Sequence, residues 1–144
     1  MEPLDLTKRA PRSPRVRLGG LYMLARTIDK LRATLPGGNL GVYQIAGCSE
    51  RLLKALEIPE DDMRSVVALA SSDDEVVAWV HKYGDQAKYD EINESLSALT
   101  LAQRMDRPDF LARYPVITEK QLPPEMTLLE MLELDDAAMG LTAT

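Results

Sequence analysis

Across residues 20–35 the apolar side chains Leu21, Leu24, Ile28, Leu31 and Leu35 step by three, four, three and four positions. That rhythm sets all five on one stripe of an α-helix, whereas a strand would alternate them between two faces. Pro36-Gly37-Gly38-Asn39 ends the helix, because proline cannot continue it and glycine accepts a left-handed cap. The period recurs downstream. Ser49 is placed to cap a helix to about Leu56, and Pro59-Glu60-Asp61-Asp62 opens another carrying Met63, Val66, Val67 and Ala70. Ser72 with Glu75 forms a capping box for a helix ending at Gly84, with Val76, Trp79, Val80 and Tyr83 inward. Tyr89, Ile92, Leu96, Leu99 and Gln103 predict a long helix over residues 86–105, followed by a short turn at 107–113. Thr127 and Glu130 cap a last helix to about Leu134 through Leu128, Met131 and Leu132. The one strand-like stretch, residues 39–48 with Val42, Tyr43 and Ile45, is too short and isolated for a sheet. At 144 residues there is length for one core. The expected fold is all-α: a single domain of five to seven helices at residues 18–144, preceded by an extended proline- and arginine-rich arm at residues 1–17.

Pro3, Pro11 and Pro14 hold that arm extended. Residues 1–35 carry eight Lys and Arg side chains against Glu2, Asp5 and Asp29, so the net charge of −6 for the whole chain leaves −11 on the rest. Opposite fields on one small chain attract, and the arm is expected to lie across the acidic body rather than wait for an anion.

Several function classes fall away. A single cysteine, Cys48, allows no intramolecular disulfide and suits a reducing compartment, and a single histidine, His81, allows no multi-histidine metal site or histidine pair. The opening residues lack the apolar core of a secretory signal, and the stretch from Leu18 stops at Arg26, well short of the ~20 residues that span a bilayer. A cytoplasmic protein without a membrane segment follows. An acidic body with 5% aromatic residues does not suit nucleic acid. The runs Glu60-Asp61-Asp62, Asp73-Asp74-Glu75 and Asp135-Asp136 diverge by about 100° per residue on a helix and do not converge on a metal. The glycine loop at 36–41 follows a helix and lacks the Lys-Ser/Thr of a phosphate loop, so it reads as a cap and turn. No cofactor is implied. Cys48 reads as a small buried side chain, and His81, about 150° from the inner face of its helix, as solvent-facing.

The densest polar set on a well-defined element is Arg26, Asp29, Lys30 and Arg32. Asp29 lies three residues from each arginine, so one carboxylate could hold two guanidiniums whose outer faces take a phosphate or carboxylate. Arg32, nearest the apolar stripe, is expected to be the more buried. A surface salt ladder is the plainer reading of the same spacing. Arg12 and Arg15 from the arm could add cations, and the Tyr43 hydroxyl a further donor. The leading expectation is a cytosolic binding or regulatory module for an anionic small molecule or an acidic protein segment. An enzyme using Asp29 or Tyr43 as acid–base group is the first alternative. The second is a structural protein–protein module. A stripe of Ala98, Leu101, Ala102 and Met105 on the far side of the long helix suggests it, since that stripe needs cover from the C-terminal segment or from a second copy in a homodimer.

The strings LDLTKRAPRSPRVRLGG, ARTIDKLRA, GCSERLLKAL and LLEMLELDDAAMG together resemble a small bacterial family catalogued only as a domain of unknown function. The resemblance covers nearly the whole chain. It implies a stand-alone bacterial helical protein and brings no activity with it.

Overall fold

A computed structural model describes residues 1–143. In chain order the helices are α1 (Leu24–Ala33), α2 (Cys48–Leu56), α3 (Glu60–Leu69), α4 (Asp73–Tyr83), α5 (Tyr89–Ala98), α6 (Pro108–Arg113), α7 (Val116–Glu119) and α8 (Leu128–Ala138). Single 3-10 turns occupy Gln86–Lys88 and Leu101–Gln103. Among the described residues there is no strand, only isolated bridges pairing Asp5 with Asn39, Leu18 with Leu21 and Thr100 with Thr127. The fold is all-α. Among the described residues there are eight helices rather than five to seven, because α7, one turn after Pro115, is too short to leave an apolar period. No helix among the described residues is long and apolar enough to cross a membrane.

The apolar stripe of α1 forms the middle of the core, with Leu24, Ile28 and Leu31 all but fully buried. Leu52 and Leu56 of α2, Met63 and Val67 of α3, Val76 and Val80 of α4, Leu96 of α5 and Leu129 and Met131 of α8 close around it. The helix starts at Leu24, not near Gly20, because Leu18 and Leu21 exchange backbone hydrogen bonds of 3.1 and 3.0 Å around Gly19 and Gly20. Both glycines have positive φ, a conformation that costs other residues energy. That turn lies against α4, and His81 is half-buried there with Nε2 3.0 Å from the Gly19 carbonyl oxygen, not solvent-facing. Both N-caps form, with Ser72 accepting from the Glu75 amide and Thr127 from the Glu130 amide, but the return bond of a capping box does not: Glu75 accepts from the Ser71 amide and Glu130 from the Thr127 hydroxyl.

The arm is docked. Leu4 and Leu6 pack with Ala33 and Tyr43 in a second apolar cluster. The Leu6 amide donates to the Asn39 carbonyl at 2.8 Å and the Asn39 amide to that of Leu4 at 2.9 Å. The Met1 ammonium donates to the carbonyl oxygens of Val67 and Ala70.

The predicted helix over 86–105 is broken. It ends at Ala98, and Thr100 leaves the helical path to cap the next turn in a capping box with Gln103. The Leu128 amide donates to the Leu99 carbonyl and the Leu101 amide to the Met126 carbonyl, both at 2.9 Å. Pairing with the strand-like lead into α8 replaces the helical bonds. The four-residue stripe is broken with it: Leu101 is in the core, Ala98 and Ala102 are exposed, and Met105 is half-buried.

Candidate functional site

The helix that carries the charged set has no solvated face: from Leu24 to Leu31 every residue of α1 is buried, Arg26, Thr27, Asp29 and Lys30 included. Buried charges need partners, and the partners come from distant elements rather than from along the helix. Arg26, only 1% exposed, reaches α8, where its two terminal nitrogens donate to Asp136 at 2.8 and 3.0 Å. The Tyr43 hydroxyl donates to the same carboxylate at 2.8 Å, and the Tyr43 ring lies 5.6 Å from the guanidinium. Burial, then the Asp136 charge, pushes the Tyr43 phenol well above its ordinary pKa, which keeps it a proton donor.

Asp29 does not hold Arg26. Its Oδ2 accepts from the backbone amide and Nε of Arg12 at 2.8 and 3.1 Å, and its Oδ1 from Arg12 Nη2 at 3.0 Å. Arg12 also donates to Asp73 at 2.7 Å. One guanidinium holds two carboxylates, the reverse of the expected clamp. Burial opposes the Arg12 charge, but the hydrogen bonds to Asp73 and Asp29 outweigh it and raise its pKa. Arg32 is less buried than Arg26, not more: it donates to the Glu2 carbonyl at 2.7 Å and lies 4.0 Å from Asp29. Arg15 pairs with Glu133 of α8. Arg12, Arg15, Asp29 and Arg32 thus fasten the arm, and none of them lines a cavity described here.

Lys30 differs from them. It is 4% exposed, yet among the described residues its amine nitrogen has only the Ser49 hydroxyl, 3.4 Å away, as a hydrogen-bond partner and no carboxylate. Ser49 does not cap α2 as expected; Gly47 takes that position, and the buried Ser49 hydroxyl also bonds Thr27 Oγ1 at 3.0 Å. Burial, reinforced by the charges of Arg26 and Arg113, pushes the Lys30 ammonium down to about 7. Lys30 lines a cavity of about 1180 Å³ bounded by α1, α2, α6, α8 and the 42–47 loop. The charged residues of its wall are Lys30, Arg51, Lys54, Arg104, Arg107 and Arg113 against Glu50, Asp106 and Asp109. Five of the basic groups are cations, Lys30 being half-titrated near neutrality, and five cations facing three carboxylates in a chain of net charge −6 make a local reversal of field. Lys54 is paired with Glu50, whereas Arg113 stacks on the Tyr114 ring at 5.2 Å and has no carboxylate partner among the described residues.

A smaller cavity of about 290 Å³ shares Lys30, Val42, Gln44, Arg113, Tyr114 and Leu132 with the large one and adds Arg26, Tyr43 and Asp135. Burial, then the neighbouring Asp136 charge, pushes Asp135 up to about 6, and burial pushes the Tyr114 phenol up. Cys48 lines the large cavity as a buried free thiol. Burial raises its pKa despite its position in the first turn of α2, so it is held as the thiol.

The arginines at 104, 107 and 113 are the part of this wall that the sequence analysis passed over. Their signal is present in it: three arginines in ten residues, within a body at −11 even with them counted. What joins them to Lys30 is tertiary. Among the described residues no group of His, Cys, Asp and Glu side chains is arranged to hold a metal ion.

A family model described as a domain of unknown function (DUF5069) matches residues 8–138, nearly the whole chain. No curated protein matches the chain.

Proposed function

We propose that this chain, which belongs to the DUF5069 family, is a binding module for a small anionic molecule, seated in the Lys30/Arg113 cavity. The observation that carries the reading is the reversed field. A cavity of this size in an acidic chain has five cations on its wall besides Lys30, which titrates at about 7, and Arg113 has no carboxylate to neutralise it among the described residues. Concave sites with a few convergent polar groups are where small ligands bind, and arginine suits two-point contact with phosphate or carboxylate. An acidic peptide is the weaker reading, because the cations sit in a cavity rather than along an exposed face. The lone cysteine, buried and unpaired, agrees with a reducing, cytoplasmic setting.

Thermal shift with a panel of phosphorylated and carboxylated metabolites tests the reading. A ligand at a hundred times its Kd stabilises by ~2.7 kcal/mol, on the order of 5–10 °C for a domain of this size. Arg113→Leu should abolish that shift and Arg32→Leu should keep it, since Arg32 fastens the arm. Loss of the shift in Arg32→Leu with retention in Arg113→Leu would return the site to the Arg26, Asp29 and Arg32 set on α1.

A further inference from the structure

We propose that the Lys30 amine is a nucleophile for the bound molecule's carbonyl carbon, so that the cavity takes an aldehyde or ketone carrying a carboxylate or phosphate and holds it as an imine. The inference rests on the anion-binding reading and adds the reacting group. Three observations carry it. Lys30 lines both cavities and so stands where they meet. Its only hydrogen bond among the described residues is long and made to a neutral hydroxyl, so the nitrogen is not committed to a carboxylate as Arg12 and Arg26 are. The flanking charges acting on it include two guanidiniums, Arg26 and Arg113, against the more weakly acting Asp136 carboxylate. Desolvation beside other cations is the arrangement that frees a lysine from its proton.

The chemistry balances within these residues. The free amine attacks the carbonyl carbon; a C–N bond forms as the carbonyl π bond breaks, the nitrogen gives up one proton and the oxygen takes one, which gives a neutral carbinolamine. A further proton delivered to that hydroxyl lets it leave as water as the nitrogen lone pair forms the C=N bond, so a protonated imine results with a net uptake of one proton. Tyr114 and Asp135 line the smaller cavity with Lys30. Burial keeps the Tyr114 phenol protonated, and Asp135, pushed up to about 6, both carries and releases a proton near neutrality. Arg113, in the wall of both cavities, holds the anionic end. The buried Cys48 is held as a thiol and does not compete.

The test is reductive trapping on the full-length protein. Glyoxylate and, separately, acetaldehyde are added at pH 7 with cyanoborohydride, and adducts are assigned to each lysine by peptide mass spectrometry. Near pH 7 roughly half of a lysine titrating at about 7 is the free amine, against about one in 10³ for a surface lysine. Lys30 should therefore be labelled by glyoxylate at least tenfold faster than Lys8, Lys54, Lys82, Lys88 or Lys120. Its advantage should be larger with glyoxylate than with acetaldehyde, and Arg113→Leu should slow both, since Lys30 then keeps its proton more tightly, but slow glyoxylate more. Labelling of Lys30 no faster than the surface lysines overturns the imine. If metabolite anions still shift the melting temperature, the binding reading survives that result. Equal labelling advantage with both aldehydes, and no thermal shift with any anion, would overturn the anionic ligand class and the binding reading together.

Discussion

Arg26 is the largest fully buried side chain of the molecule, and its cost is met by two hydrogen bonds to Asp136 and by the face of Tyr43. Only its Nε is left without a partner. Such a pair fixes position more than it stabilises, and here it ties α8 to α1 beside the cavity. Lys30, one turn further on, has no such partner, and its titration should be measurable. With a pKa of about 7 when folded and ~10.4 when unfolded, the native state binds fewer protons than the unfolded chain between those values. Stability must then rise as pH climbs from about 7 to about 10.4, while below 7 both states are protonated and the burial cost is fully present. The groups acting on it are Arg26 on α1, Arg113 on α6, Cys48 on α2 and Asp136 on α8. Urea denaturation of wild type and Lys30→Met should show the variant more stable at pH 6.5 and the difference shrinking toward pH 10. Parallel stability curves would mean that Lys30 is not held as a free amine. The sequence made both residues visible as a charged set but left their burial hidden, because three-residue spacing describes neighbours along a helix and not what α8 and α2 bring against it.

Elements with local start and stop signals were legible for the same reason that they are local. Ser72, Thr127, Pro59 and the Pro36-Gly37-Gly38 run each act within a few residues of the ends they define, and α1, α3, α4 and α8 lie where these signals put them. The helix over 86–105 was misjudged because its apolar period continues through a break that only the segment before α8 imposes. Thr100 is β-branched and caps well, so once Leu99 and Leu101 bond to Leu128 and Met126 the helical alternative loses. The break makes a sharp prediction. Leu101, fully buried, and Ala98, exposed, sit on one stripe in the unbroken helix but in different environments in the broken one. Leu101→Glu should cost several kcal/mol or prevent folding through a buried unpaired carboxylate. Ala98→Glu should change stability by no more than ~0.5 kcal/mol, as surface substitutions do. Comparable losses in both, read from urea denaturation and circular dichroism, would restore the continuous stripe.

At the scale of the whole molecule, the attraction between basic arm and acidic body was readable from charge alone, but the way the arm is held was not. Arg12 carries most of the polar fastening, through Asp29, only 1% exposed, and Asp73. Arg15 makes a more exposed pair with Glu133, while Leu4, Leu6 and the main-chain bonds to Asn39 are indifferent to charge. Deleting residues 1–17 should therefore lower the melting temperature at every ionic strength, because it strips cover from Ala33 and Tyr43 and leaves the Asp29 carboxylate buried without its cation. Salt should close only a small part of the gap, since screening at a Debye length of about 3 Å near 1 M reaches exposed pairs and hardly touches buried ones. Two single variants separate the contributions. Arg12→Ala should cost ~3 kcal/mol, nearly independent of salt, because it leaves the buried Asp29 carboxylate with only the 4.0 Å contact to Arg32. Arg15→Ala should cost less than ~1 kcal/mol and lose even that as salt is added. If the truncated and full-length proteins melt together at low salt, the arm is not part of the folded unit, and Asp29 must find its cation elsewhere. If instead salt erases the whole difference, surface charge alone holds the arm, and the apolar cluster of Leu4, Leu6, Ala33 and Tyr43 contributes nothing to its docking.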